Sequence, residues 1–90
     1  MLLVDESAAV PENDWTLAHA EEWRMYARLT ERERAVLQYV ASGFTAPEIG
    51  KKLLISAKTV DTYKQRINQK LSLSHRSEYV TFALKLGLLA

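Results

Sequence analysis

The sequence predicts an all-α fold: a small four-helix domain behind an N-terminal extension. Two hydroxyl residues each stand three positions before a glutamate, Thr30 before Glu33 and Thr45 before Glu48, which is the pattern of a helix-opening capping box. Apolar residues then recur at the spacing of one helical face, and no strand-like alternation is present. The chain has 90 residues, which suits one compact core.

Composition narrows the class of protein. Apolar residues make up 48% and charged residues 26%, proportions typical of a globular protein rather than a disordered or membrane-embedded one. Cysteine is absent, which excludes disulfides and thiolate metal sites. The opening apolar stretch is too short for a signal sequence, and no stretch approaches the roughly 20 residues that span a bilayer. We therefore expect a cytoplasmic protein without a membrane partner.

The net charge of +1 conceals an asymmetry along the chain. Residues 1–28 hold six acidic and two basic side chains, whereas residues 29–90 hold ten basic and five acidic ones. A basic module behind an acidic leader predicts that the second part meets a polyanion. On charge alone, an ordinary solvated surface is an equally good interpretation.

Residues 1–28 are interpreted as a tail or linker that includes a predicted helix near 15–28. The positions at compatible helical spacing are Trp15, Ala18, Tyr26 and Leu29. The two tryptophans, Trp15 and Trp23, require burial. They could pack on the following domain, on an N-terminal regulatory domain or partner, or on a second copy of the chain.

Residues 29–90 are interpreted as one domain, and its first two helices are bounded by clear signals. Thr30 opens a helix near 31–42, and Gly43 is suited to end it. Thr45 opens a short helix near 46–53, with Pro47 in the first turn, where its missing N–H costs nothing. The predicted core positions of these two helices are Val36, Leu37, Val40, Ala41, Ile49 and Leu53.

Two further helices complete the predicted domain. Ser56 caps a third near 57–72, and Ser74 or His75 begins a fourth that runs to about Leu86 and ends at Gly87. Their predicted core positions are Val60, Ile67, Leu71, Val80, Ala83 and Leu84, with Leu88 and Leu89 folding back.

The short second helix and the third helix are separated by about three residues, which is the geometry of a helix-turn-helix. Gly50 lies within the second helix, where it costs roughly 1 kcal/mol relative to Ala. A close approach of the third helix at this point would explain the glycine, and a tolerated surface glycine is the alternative interpretation.

The third helix has one side suited to reading DNA bases. At about 100° per residue, Tyr63, Ile67 and Leu71 share the core side with Val60. The opposite side is hydrogen-bonding rather than a ladder of Glu and Lys, and it suits base edges in the major groove. The predicted base-reading residues are Lys58, Asp61, Thr62 and Gln65, with Gln69 beside them.

Groups suited to DNA phosphates surround that side of the helix. The predicted phosphate contacts are Ser56, Thr59, Tyr63, Lys64, Arg66 and Lys70, together with Lys51, Lys52 and the start of the second helix at Thr45. The contacts at Thr45 and Ser56 are predicted to use free backbone amides. Such contacts orient a protein on DNA without reading its sequence.

The chain resembles the LuxR/GerE-type helix-turn-helix domain of bacterial transcription regulators, including the output domains of NarL- and FixJ-like response regulators. The matching stretches run from LTERERAVLQYVASG through EIG and LLISAKTVDTYKQRINQKL to RSEYVTFALKLGLL, within residues 29–89. The resemblance implies sequence-specific binding of double-stranded DNA, with the third helix in the major groove. It also implies a homodimer through the exposed side of the fourth helix, with Tyr79 and Phe82 as the expected contacts.

Two positions depart from that pattern. Asp61 stands where many relatives carry Lys or Arg, so a guanine contact cannot be transferred to it. Tyr63 stands where His is common. Residues 1–28 have no counterpart in the motif, and in a response regulator they would follow a receiver domain.

The sequence gives less support to two other classes of function. An enzyme is not expected, because His19 and His75 are isolated and the glutamates Glu33 and Glu48 serve as caps; neither a metal nor a cofactor is expected. The second class is a protein-interaction module that keeps the fold without DNA binding and holds a partner through the acidic leader and its tryptophans. The salt dependence of binding distinguishes this module from a DNA-binding protein, because affinity for DNA falls steeply as the ionic strength rises.

Overall fold

A computed structural model of the protein describes residues 18–89. In this range the chain forms α-helices and no strand, which confirms the predicted all-α class. The helices are α1 (Ala20–Ala27), α2 (Glu31–Ala41), α3 (Ala46–Leu53), α4 (Ala57–Leu71) and α5 (Arg76–Leu86). The predicted ends of α2, α3 and α4 are correct to within one residue. Trp15 and most of the predicted tail lie outside the described residues.

Side-chain caps begin three of the helices, as predicted. The Thr30 hydroxyl accepts from the Glu33 amide, and the Glu33 carboxylate accepts from the Thr30 amide at 2.9 Å. Thr45 and Glu48 form the same reciprocal box at α3. The Ser56 hydroxyl accepts from an amide in the first turn of α4. Because these bonds are local, the sequence alone was enough to predict them.

One core joins all the helices. Its buried apolar residues are Tyr26, Leu29, Val36, Leu37, Val40, Ala41, Ile49, Val60, Ile67, Leu71, Tyr79, Phe82, Ala83 and Leu86. Leu53, Leu88 and Leu89 are half-buried against this core. The predicted stripes of α2 and α4 are confirmed, and α4 packs against both α2 and α3.

The predicted core face of α5 was wrong at two positions. Leu84 is 45% exposed and Val80 is only half-buried. The buried stripe instead combines Tyr79, Phe82 and Leu86 with Ala83. Its spacing is as helical as the predicted one, and it removes two aromatic rings from water, which is the larger gain.

Helix α1 packs on the helices that follow it. Trp23 is half-buried against the core, with its ring edge-on to Tyr26 at 6.0 Å between centroids. Tyr26 is buried, and its hydroxyl accepts from the Gln38 amide at 2.7 Å. Of the three interpretations for Trp23, packing on the following domain is the one observed.

Candidate nucleic-acid interface

Helices α3 and α4 are joined by residues 54–56 in a tight turn. Leu54 takes a left-handed conformation with φ 60°, and the Ile55 amide donates to the Gly50 carbonyl at 2.9 Å. A Cβ on Gly50 would lie 2.6 Å from the Ile55 carbonyl oxygen and 3.4 Å from the Ala57 nitrogen. The close approach predicted at Gly50 is confirmed, and the approaching group is the backbone of the turn and the start of α4.

The rotation of α4 is fixed by its buried stripe, which leaves the opposite side free. Val60 and Ile67 are fully buried, and Tyr63 is half-buried. The residues predicted to read bases, Lys58, Asp61, Thr62 and Gln65, are all exposed. The structure therefore places them together on the solvent side of one helix, and their contact with bases stays a prediction.

Most polar groups on and beside this side make only local contacts. The Thr62 hydroxyl donates to the Lys58 carbonyl at 3.2 Å, and Asp61 lies 4.0 Å from the Lys64 ammonium. Within residues 18–89 the Gln65 carboxamide makes no hydrogen bond, so both its donor and its acceptor remain available. A bidentate contact with adenine requires both.

The start of α4 differs in charge from the start of every other helix between residues 18 and 89. Its first turn has no acidic residue, whereas α1, α2, α3 and α5 each carry at least one. The Ser56 and Thr59 hydroxyls lie 2.8 Å apart there. The partial positive charge of this helix terminus is not offset by a carboxylate of its own first turn, which favours an anion nearby.

Arg66 and Tyr63, two predicted phosphate contacts, lie against each other on α4. The Arg66 guanidinium is 5.7 Å from the centre of the Tyr63 ring. Arg66 is exposed and Tyr63 is half-buried, so the ring supports the cation at the edge of the base-reading side. A cation held over an aromatic face keeps its charge available to solvent or phosphate.

The predicted free amide at Thr45 was wrong. The Thr45 amide donates to Glu48 Oε1 at 2.8 Å, and the Thr45 hydroxyl bonds the same oxygen at 3.1 Å. These two hydrogen bonds hold the pKa of Glu48 below its usual value. The capping box therefore uses the Thr45 amide itself, and this amide is not available to a phosphate.

Lys70 was predicted as a phosphate contact, but its ammonium has a partner inside the protein. It donates to Glu33 Oε1 at 2.8 Å, and Glu33 is 1% exposed. Burial raises the pKa of Glu33, yet hydrogen bonds from Lys70 and Thr30 outweigh it and hold the pKa below its usual value. Lys70 therefore neutralises a buried carboxylate in the folded protein, and its contact with phosphate stays a prediction.

Tyr79 and Phe82 do not lie on the exposed side of α5, so the predicted placement was wrong. They are 2% and 6% exposed. The Tyr79 hydroxyl donates to the Lys64 carbonyl at 3.3 Å. The Asn68 amide nitrogen, with two N–H donors, lies 2.6 Å from this hydroxyl and 3.2 Å from the Lys64 and Leu73 carbonyls. Burial raises the pKa of Tyr79 to about 12. Both rings hold α5 against the core.

Sequence reasoning missed two arginines that secure the ends of helices. Arg32 donates to the Leu53 carbonyl at the end of α3, at 3.2 Å. Arg76 donates through Nε to the Val40 carbonyl near the end of α2, at 3.4 Å. Both pairs are far apart in sequence, and no local spacing signals them.

The described part of the chain shows neither a membrane span nor a metal cluster. No helix within residues 18–89 is long and apolar enough to cross a bilayer. The same range brings no three His, Asp or Glu side chains together in a group that could hold a metal ion.

The tight α3–α4 turn and the exposed side of α4 define a helix-turn-helix module of the DNA-binding class. The family described as "Bacterial regulatory proteins, luxR family" matches residues 27–83. This match covers more than half of the chain, and the chain belongs to that family. The family is a class of DNA-binding regulators rather than of enzymes.

Curated relatives share the same segment. "Oxygen regulatory protein NreC" of Staphylococcus carnosus (strain TM300) is 44% identical over 61 residues, which cover 68% of this chain and 28% of the relative. A Pseudomonas aeruginosa protein named "Putative transcriptional regulator" is 45% identical over 62 residues, which cover 69% of this chain and 30% of the relative. The chain therefore spans less than a third of the length of these relatives. No solved structure matches the chain significantly.

Proposed function

We propose that the protein binds double-stranded DNA sequence-specifically and regulates transcription, with α4 as the recognition helix in the major groove. One observation carries the proposal: the side of α4 with hydrogen-bonding side chains is exposed along its length, while the opposite side, with Val60, Ile67 and Leu71, is buried in the core. The major groove is about 12 Å wide and admits one α-helix. Family membership and the name of the Pseudomonas relative support the regulatory role.

In this proposal the side chains divide into two sets. Lys58, Asp61, Thr62 and Gln65 read base edges. Ser56, Thr59, Tyr63, Lys64 and Arg66 contact phosphates. The second set orients α4 without reading sequence, because phosphates repeat identically along both strands. Because bacterial DNA lies in the cytoplasm, this proposal also places the protein there.

Gln65→Ala is expected to relax the preference for one base position, at a cost of about 1 to 3 kcal/mol on the preferred site. The reason is the loss of a bidentate pair at that position alone. Lys64→Gln is the comparison, because it removes a charge and weakens binding to all duplexes similarly. Duplexes selected from random DNA, titrated by fluorescence anisotropy, measure both effects.

The same titrations separate DNA binding from the alternative of a protein-interaction module. Binding through phosphates gives a log–log salt slope of about −0.9 for each phosphate neutralised. A wild-type protein with no salt-dependent affinity for any duplex would contradict the proposed function. Equal losses on all sequences for Gln65→Ala would contradict its base-reading role only.

We further propose that the protein binds DNA as a dimer through the exposed side of α5. That side carries Ser77, Thr81 and Leu84, and Leu84 is a large apolar side chain that is 45% exposed. Two half-sites about one helical turn apart suit a dimer of small domains. One chain per inverted-repeat duplex in sedimentation would contradict the dimer.

We also propose that an N-terminal regulatory part, as in a response regulator, meets the outer side of α1. Glu21, Arg24 and Arg28 are exposed there, while Trp23 and Tyr26 are turned toward the core. The relatives are long enough to hold such a part. The test adds the receiver domain of a response regulator, produced separately, to this chain and records the NMR signals of α1. Unchanged signals would contradict this contact.

A further inference from the structure

A groove of about 400 Å³ lies between the α2–α3 loop and the junction of α4 with α5. Two basic side chains line it, Lys64 from α4 and Arg76 from the first turn of α5. Ser74 adds a hydroxyl, whereas the donors of Thr45 are taken by Glu48, whose carboxylate is not among the lining residues. A groove whose only charges are positive suits an anion.

Arg76 is held in place with most of its donors unused. Its Nε donates to the Val40 carbonyl, and a Cβ on Gly43 would lie only 2.7 Å from Nη2. Gly43 has φ +100° and no side chain, which lets the guanidinium lie against the backbone. The Nη groups make no hydrogen bond to residues 18–89. A guanidinium presents five N–H donors in a planar fork that matches phosphate oxygens.

The other charges around the groove leave its two cations available. Asp61 lies 4.0 Å from the Lys64 ammonium at the exposed edge of α4, which is a weak pair in water. The Glu78 carboxylate accepts from the Ser74 and His75 amides. Those bonds hold the pKa of Glu78 below its usual value. Neither carboxylate is bonded to Arg76.

The groove adjoins the base-reading side of α4, because the Lys64 ammonium, which lines the groove, lies 4.0 Å from the carboxylate of Asp61 on that side. When α4 enters the major groove of a DNA duplex, the phosphates along the edges of that major groove come next to the helix. The anion that reaches this position is therefore a backbone phosphate.

We propose that this groove binds a DNA backbone phosphate between Lys64 and Arg76, so that α5 contributes a contact from outside the helix-turn-helix. This inference rests on the proposed function and extends it to a residue that the sequence did not mark. The Arg76 fork supplies the hydrogen bonds, and Lys64 supplies a second positive charge.

The test is the salt dependence of duplex binding by Arg76→Gln. Glutamine keeps a donor for the Val40 carbonyl but removes the charge, so the magnitude of the log–log salt slope falls by about one relative to wild type. Arg24→Gln is the control, because Arg24 is an exposed arginine on α1, outside α4 and the proposed dimer side of α5, and its guanidinium is paired with Glu21 at 2.9 Å. The control leaves the slope unchanged.

Thermal unfolding of each variant shows whether it is folded at the temperature of the titration. If Arg76→Gln is unfolded there, Ser74→Glu gives the answer, because it places a carboxylate in the same groove without removing the Arg76–Val40 hydrogen bond and is expected to lower the magnitude of the slope by about one. A folded Arg76→Gln with the slope of Arg24→Gln would overturn the inference and leave the proposed function standing. A wild-type protein without salt-dependent duplex binding would overturn both.

Discussion

Replacing Glu33 with alanine is expected to lower the free energy of unfolding by about 3 kcal/mol. The carboxylate is 1% exposed and receives hydrogen bonds from the Thr30 amide at 2.9 Å and the Lys70 ammonium at 2.8 Å. Its loss removes half of a capping box and the partner of Lys70. Breaking a buried pair costs about 3 to 5 kcal/mol, and the lower end applies because Lys70 remains partly solvated. Urea unfolding measures the change.

Glu31→Ala is the matched control, since Glu31 lies in the same first turn but is exposed. It is expected to change stability by about 0.5 kcal/mol or less. Similar losses for the two variants would show that the helix terminus, rather than the buried pair, carries the effect.

The same residue sets a pH dependence. The pKa of Glu33 in the folded protein lies below its unfolded value of about 4.3, so its contribution is fully present above that pH. The contribution is lost as the pH falls through the folded pKa. Unfolding of the wild type in acid is therefore expected to be steeper than that of Glu33→Ala, and parallel curves would contradict this.

Gly50→Ala is expected to lower the free energy of unfolding by about 2 kcal/mol, although alanine is the better helix former by about 1 kcal/mol. The added Cβ would meet the Ile55 carbonyl oxygen at 2.6 Å, and a backbone atom in a tight turn cannot move aside as a side chain does. The turn must open, which also shifts the start of α4. We expect weaker duplex binding together with the loss of stability.

Lys51→Ala provides the comparison for Gly50→Ala, because Lys51 is the next residue of α3 and is exposed. Its stability should stay within about 0.5 kcal/mol of wild type. A Gly50→Ala protein more stable than wild type would show that the turn has room, and would remove the physical reason for the glycine.

Interactions between residues close in sequence explain which features of the fold and of the site could be predicted from the sequence. The hydroxyls of Thr30, Thr45 and Ser56 each accept from an amide three residues away. The residues that define the start of a helix therefore lie within four positions of one another. The side of α4 that carries Gln65 followed from the position of Val60, since a helix fixes the angle between residues. The site was predictable to the extent that it lies on one helix.

Most of the contacts that the sequence did not predict have a different cause. Lys70 meets Glu33 across 37 positions, and Arg76 meets Val40 across 36. No periodicity within a helix reports such a pair. For α5, two stripes of similar spacing competed, and only packing against α2 and α1 selected the one that buries Tyr79 and Phe82. At Thr45 the wrong prediction has a local cause, because the capping box that begins α3 also uses the Thr45 amide.

The sequence by itself determined the helices, the tight turn at Gly50 and the hydrogen-bonding side of α4, because each depends on residues within a few positions of one another. The tertiary structure alone decided which cations remain free for phosphate. It assigns Lys70 to a buried carboxylate and sets Arg76 beside Lys64 at one groove. A charge is available to a ligand only where no folded partner has neutralised it, and that depends on which helices meet.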